Sequence, residues 1–197
     1  MRPASELAFF ANVSPQSASM HLSKLVEAQL LEVTKEGRHR YYTIAKPEVA
    51  DFVESMAALL PSNEKPLKTP ISKRPAFHIA RSCYDHLAGK ISVEIVESMM
   101  AKDILIPGKK DFEVTDIGYN WFVEFGINIE KLKKKRRSFA KKCLDWSERQ
   151  HHLAGALGSA LLGELFERKW LVRSQGRALR ITLVGRENMN KSFGIII

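Results

Sequence analysis

Cysteine is scarce in this chain: only Cys83 and Cys143 stand among 197 residues. Two thiols so far apart build no disulfide framework, so a reducing cytoplasm is the expected setting. No apolar run approaches the roughly 20 residues needed to span a bilayer. The opening Met1-Arg2-Pro3-Ala4-Ser5-Glu6 lacks the basic-then-apolar grading of a secretory signal. No membrane partner is expected. Also missing are a phosphate-cradling Gly-rich loop, a nucleophile elbow and a His-Glu-x-x-His helix. Asp85-His86, and Asp145 near His151, are the nearest approach to acid–base pairs, and nothing beside them supplies a pocket or an oxyanion donor. No catalytic residues emerge, and an enzyme is not expected.

What is present is an ordinary globular composition, 45% apolar and 27% charged, with a formal net charge of +9. That excess points to a polyanionic partner. Its distribution is uneven: residues 1–60 hold six Lys/Arg against seven Asp/Glu, and residues 61–197 hold 25 against 15. Local placement must therefore identify any nucleic-acid surface.

Ser5–Ala11 reads as a short helix with Ser5 as its N-cap, followed by a tight turn at Asn12-Val13. Ser14 is a second N-cap, and Pro15 falls at the first helical position, where a missing N–H costs nothing. Ala18, Leu22, Leu25, Val26 and Leu30 then mark one helical face. Leu31–Thr34 and Tyr41–Ile44 are strand-like, flanking a cationic turn, Lys35-Glu36-Gly37-Arg38-His39-Arg40. A helix resumes after Pro47 through Val49, Phe52, Val53 and Met56. Two helices joined by a tight turn form a helix-turn-helix, and a basic hairpin tip beside it suits a phosphate-touching wing.

Ala4-Ser5-Glu6-Leu7-Ala8, Val13-Ser14-Pro15-Gln16-Ser17-Ala18-Ser19-Met20-His21-Leu22, Leu25-Val26-Glu27-Ala28-Gln29-Leu30-Leu31 and Gly37-Arg38-His39-Arg40-Tyr41-Tyr42 together resemble the ArsR family of bacterial repressors. The resemblance implies a winged helix-turn-helix and a homodimeric repressor on double-stranded operator DNA. It also implies leading helices, which are expected to be missing here because the sequence opens almost on the helix-turn-helix. The metal-sensing members carry cysteines before the turn, where this chain has Phe9-Phe10. They also carry an Asp/His/Glu set after the wing, where Asp51 and Glu54 stand without a histidine. Neither family metal site is expected. Gln16, Ser17, Ser19 and Met20 are the candidates for base edges, and Lys24, Lys35, Arg38, His39 and Arg40 for phosphates. The alternative is a winged-helix module that docks proteins without sequence-specific DNA binding.

Residues 61–75 carry four prolines and read as an extended linker. Beyond them the chain repeats. His86-Leu87-Ala88-Gly89 recurs as His152-Leu153-Ala154-Gly155, each opening or continuing a helix. Hairpins follow at 104–114 and 170–181, then Thr115-Asp116-Ile117-Gly118 and Thr182-Leu183-Val184-Gly185, and closing helices at Phe125-Gly126-Ile127 and Phe193-Gly194-Ile195. The fold class expected is α+β, mainly α. A winged helix-turn-helix over 1–60 is followed by two helix–β-hairpin–helix repeats, themselves winged-helix-like, over 76–130 and 131–197; a basic helix opens the second. Together the repeats would sense or dimerise.

Cys83 and His86, three apart, share a face if helical, and duplication would bring them near Cys143 and His152. Thiolate and imidazole suit Zn(II), Cu(I) or an arsenic-like metalloid, and two cysteines also suit a redox disulfide. The spacing matches no zinc motif. The recurrence of Leu132, Phe139, Cys143 and Trp146 favours plain packing. Lys131–Arg137 with Lys141-Lys142 reads as a solvated helix face, or as a second phosphate-contacting surface.

Overall fold

A computed structural model describes residues 2–37, 39–46, 48–50, 52–53, 56, 76–174 and 176–197. The chain divides into two compact units, residues 1–56 and 57–197. The expected linker at 61–75, together with Arg38, Asp51 and Glu54, lies outside the described residues.

In the first unit, β1 (Arg2–Pro3) leads into α1 (Ala4–Ala11). Ser5 lies within α1 and does not cap it: Pro3, extended and paired with Tyr41, holds the N-cap position without a side-chain cap. Asn12 ends the helix at φ 51°, ψ 45°, a left-handed geometry that asparagine tolerates. In α2 (Pro15–Glu27), Ser14 caps the first turn by accepting from the Ser17 N–H at 3.2 Å, with Pro15 just inside. Ala18 and Leu22 are buried, whereas Leu25 and Leu30, expected on the same face, are each 38% exposed. Strands β2 (Leu31–Glu36) and β3 (His39–Ile44) pair antiparallel from Leu31↔Ile44 to Glu36↔His39. The ladder therefore runs through Lys35 and Arg40 to Glu36↔His39, which shortens the expected six-residue turn, and Gly37 stands at φ 59°. The sheet order is β1-β3-β2. Described residues 48–50, 52–53 and 56 are helical.

The second unit opens with α3 (Ala76–Ile79) and the hairpin β4 (Arg81–Cys83)/β5 (His86–Ala88). Then come α4 (Lys90–Ala101), the hairpin β6 (Leu105–Pro107)/β7 (Phe112–Val114), α5 (Asp116–Glu124) and α6 (Ile129–Lys133). The order hairpin, helix, hairpin, helix occurs again as β8 (Lys142–Leu144)/β9 (His151–Leu153), α7 (Gly155–Glu167), β10 (Leu171–Arg173)/β11 (Leu179–Ile181) and α8 (Leu183–Phe193).

His86-Leu87-Ala88 and His152-Leu153 are strands, and Cys83 and His86 sit opposite each other on a hairpin, not on one helix face. A three-residue separation also fits a two-residue turn, and Tyr84, at φ 51°, makes one that no helix could contain. The basic stretch 131–142 is not one helix. Asn128 caps α6 through the Lys131 N–H at 2.9 Å, and the helix stops at Lys133. Continuing it would stack Lys131 on Lys135 and Lys133 on Arg137, like charges at i,i+4. Backbone carbonyls of Ser138, Phe139 and Ala140 instead accept from Ala156, Leu157 and Phe112 at 2.8–2.9 Å.

The two halves of this unit interlock. Helix α4 packs on β9, and α7 packs on β5, so each long helix covers the other half's hairpin. The Leu179 N–H donates to the Ala80 carbonyl and the Phe112 N–H to the Ala140 carbonyl, each at 2.9 Å, in matching cross-half bonds. Ile91, Ile95, Met99, Phe122, Leu157, Leu165 and Met189 form the fully buried core. Gly89 and Gly155 begin α4 and α7 at φ 89° and 75°. A Cβ there would stand 2.9 Å from the His78 carbonyl oxygen or 2.5 Å from that of Ser138, which is why glycine closes both copies of the recurring tetrapeptide. No helix among the described residues is long and apolar enough to cross a membrane.

Candidate functional site

The first unit presents a polar surface on α2 and the hairpin. Burial of Ala18 and Leu22 fixes the helix so that Gln16, Ser19, Met20 and Lys24 are exposed, Met20 to 51%, with Ser17 half-buried. On the hairpin, Lys35 and Arg40 are directly opposed and exposed, and His39 is exposed beside them with its ring 6.3 Å from Tyr41. Like charges directly opposite on a ladder are destabilising unless something neutralises them.

The second unit contains a feature of a different kind. The Cys83↔His86 and Cys143↔His152 register pairs lie on the two hairpins, and the packing of β5 near β9 brings them face to face. The four candidate ligand atoms all lie within 4.8 Å of one another. The Nε2 atoms of His86 and His152 are 3.0 Å apart, with ring centroids 5.0 Å apart. His152 is fully buried, His86 and Cys83 nearly so, and Cys143 partly so.

Behind each imidazole stands a carboxylate, and behind each carboxylate an arginine. Asp85 Oδ1 is 3.5 Å from His86 Nδ1, and Asp145 Oδ2 is 3.4 Å from His152 Nδ1. Arg137 donates to both oxygens of Asp85. Arg81 donates to both oxygens of Asp145 at 2.8 Å and lies 4.6 Å from the Trp146 ring. Asp145 also accepts from the N–H groups of Gly89, Ser147 and Glu148 at 2.7, 2.9 and 3.1 Å.

These contacts set the ionisation of the site. Burial opposes the charge on Asp85 and Asp145, but their histidine and arginine partners more than offset it and hold both well below the usual carboxylate range. The Cys83 contact, with His152 and His86, outweighs burial and draws the Cys143 thiol far below its ordinary value. For His152 burial is again overcome, by Asp145 and Cys143, and the imidazole is shifted upward. Chemically, the centre offers two sulfur and two nitrogen donors.

The sequence did not single out Asp85, Asp145, Arg81 and Arg137 as parts of one site. A signal was there: Cys-x-Asp occurs as Cys83-Tyr84-Asp85 and Cys143-Leu144-Asp145. It was masked because two residues separate Cys83 from His86 but eight separate Cys143 from His152. The longer second loop supplies Trp146 to Arg81. Asp145 partners His152 and not His151, whose side chain is exposed.

The chain is 46% identical over 199 residues to "Uncharacterized HTH-type transcriptional regulator YdfF" of Bacillus subtilis (strain 168), a similarity covering 100% of this chain and 88% of that protein. The chain belongs to the HTH-type transcriptional regulators. No family model matches this regulator, and no solved structure does. The similarity runs through both units, so the buried centre belongs to a region the regulator shares with its relative.

Proposed function

We propose that this regulator binds double-stranded operator DNA as a cytoplasmic homodimeric repressor, using the first unit as an ArsR-type winged helix-turn-helix. The observation that carries this reading is α2 anchored through Ala18 and Leu22 with Gln16, Ser19, Met20 and Lys24 outward, in the same unit as the opposed Lys35–Arg40 pair. In this reading Gln16, Ser17, Ser19 and Met20 face base edges in the major groove. Lys24, Lys35, Arg38, His39 and Arg40 hold phosphates, and DNA relieves the repulsion between Lys35 and Arg40. Exposure of Phe9 (81%), Phe10 (67%), Phe52, Val53 and Met56 supports a second copy covering part of this unit. The element order of the second unit supports an internal duplication that serves sensing or dimerisation.

Binding to DNA from upstream of the regulator's own gene, measured by anisotropy across a salt series, tests the reading. Lys35→Ala/Arg40→Ala is expected to weaken all sequences alike and flatten the salt slope by about 2, near one per lost phosphate contact. Gln16→Ala is expected to relax sequence preference instead. An unchanged slope, with the loss appearing on neutralising Lys134, Lys135 and Arg136, would move the interface to the second unit. Absence of any salt-dependent, sequence-selective complex would favour a protein-docking module, which the near-neutral charge of residues 1–60 accommodates.

A further inference from the structure

We infer that the second unit binds one thiophilic divalent ion of the zinc class through Cys83 Sγ, Cys143 Sγ, His86 Nε2 and His152 Nε2. The inference does not depend on how the regulator meets DNA.

Each histidine turns Nδ1 toward a carboxylate, leaving Nε2 facing the opposite imidazole at 3.0 Å. With the proton on Nδ1, the nitrogen nearer the carboxylate, each Nε2 keeps a lone pair, and two lone pairs at that distance repel unless a proton or cation lies between them. A tetrahedral zinc with sulfur at ~2.3 Å and nitrogen at ~2.0 Å spaces its donors about 3.3–3.8 Å apart. The four donor atoms here are mutually within 4.8 Å, so small side-chain adjustments close the shell.

Asp85 is balanced by Arg137 and Asp145 by Arg81, so the outer layer is neutral pair by pair. A divalent cation that displaces both thiol protons on binding therefore leaves the centre neutral as well. The donor types select the ion: thiolate and imidazole suit zinc, whereas magnesium and calcium demand oxygen. The carboxylates behind the histidines are what a metal-bound imidazole ordinarily has.

Four protein donors in a buried site leave no position for substrate, so the ion is structural or sensory. It joins β4–β5 to β8–β9, and with them two halves of the unit whose Cys ligands are 60 residues apart in sequence.

The test uses the full-length, fully reduced protein titrated anaerobically with cobalt(II), then with zinc(II) in competition. The expected result is saturation at one ion per chain, with the intense visible bands of tetrahedral cobalt and a near-ultraviolet sulfur-to-cobalt band that zinc abolishes. Cys83→Ser/Cys143→Ser is expected to remove the sulfur band and stoichiometric uptake. Because that pair could disturb packing, Asp85→Asn serves as the gentler variant: it keeps all four donors and is expected to weaken zinc binding by about 10–100-fold. A folded, reduced chain with both thiols titratable that takes up neither ion overturns the inference. So does a Cys83–Cys143 disulfide in metal-free protein as isolated, or undiminished uptake by the double serine variant.

Discussion

Replacing Asp145 with asparagine removes one charge and almost no volume, yet it is expected to be among the most damaging single changes to the second unit. The carboxylate is buried and accepts from Arg81 twice, from three backbone N–H groups and from the Ser147 hydroxyl. Every one of these partners is a donor. An amide side chain turns one acceptor into an NH2 group and sets donor against donor, while the Arg81 guanidinium, 1% exposed, keeps a charge with no counterion. Stacking on Trp146 and Phe77, at 4.6 and 5.5 Å, survives but does not neutralise that charge. Breaking one side of a buried pair costs about 3–5 kcal/mol, a large part of the about 5–15 kcal/mol that holds a typical domain together. All three tryptophans, Trp121, Trp146 and Trp170, lie in the second unit, so fluorescence follows its unfolding specifically. In urea, with an m-value of about 1–3 kcal/mol per molar, the midpoint is expected to fall by at least about 1 M. A chelator in the buffer keeps bound ions out of the comparison. A midpoint within about 0.3 M of the parent protein at unchanged m would refute the reasoning, because the Arg81–Asp145 pair would then contribute little.

Two further outcomes follow from the same unit. Gly155→Ala puts a Cβ 2.5 Å from the Ser138 carbonyl oxygen at φ 75° and is expected to cost about 1–3 kcal/mol or more, whereas Gly163→Ala, in the same helix with open space around it, is expected to gain about 0.5–1 kcal/mol; melting curves of the two variants check the contrast. Glu94 is shifted upward, chiefly by burial and further by Glu97 and Glu148, with Lys90 opposing, and its Oε2 is buried without a hydrogen bond. A carboxyl raised in the folded state destabilises as pH climbs above its unfolded value near 4.5. Glu94→Gln is therefore expected to unfold at higher urea than the parent at pH 7, and the advantage is expected to vanish below about pH 4.

Local chemistry made parts of the molecule readable from the chain alone. Ser14 before Pro15 announces a helix start because an oxygen acceptor and a residue without an N–H suit its first turn, and Ser14 does cap α2. Thr115 and Thr182 cap α5 and α8 by accepting from Gly118 and Gly185, each at 2.9 Å. The recurring His-Leu-Ala-Gly carries its glycine because both copies need a positive φ against a neighbouring backbone. These are short-range requirements, and a residue type within a few positions suffices to signal them.

The tertiary structure decided the rest. A three-residue gap between Cys83 and His86 is compatible with a helix face or with a tight hairpin, and only pairing with β5 selects the hairpin. Spacing at 132, 139, 143 and 146 suggests one amphipathic helix, but carbonyls claimed by α7 and β7 break that stretch into separate pieces. Above all, the chain alone could name Cys83, His86, Cys143 and His152 but not the Asp85–Arg137 and Asp145–Arg81 pairs behind them. Those contacts span 52 and 64 residues, and they exist because each half's helix packs on the other half's hairpin.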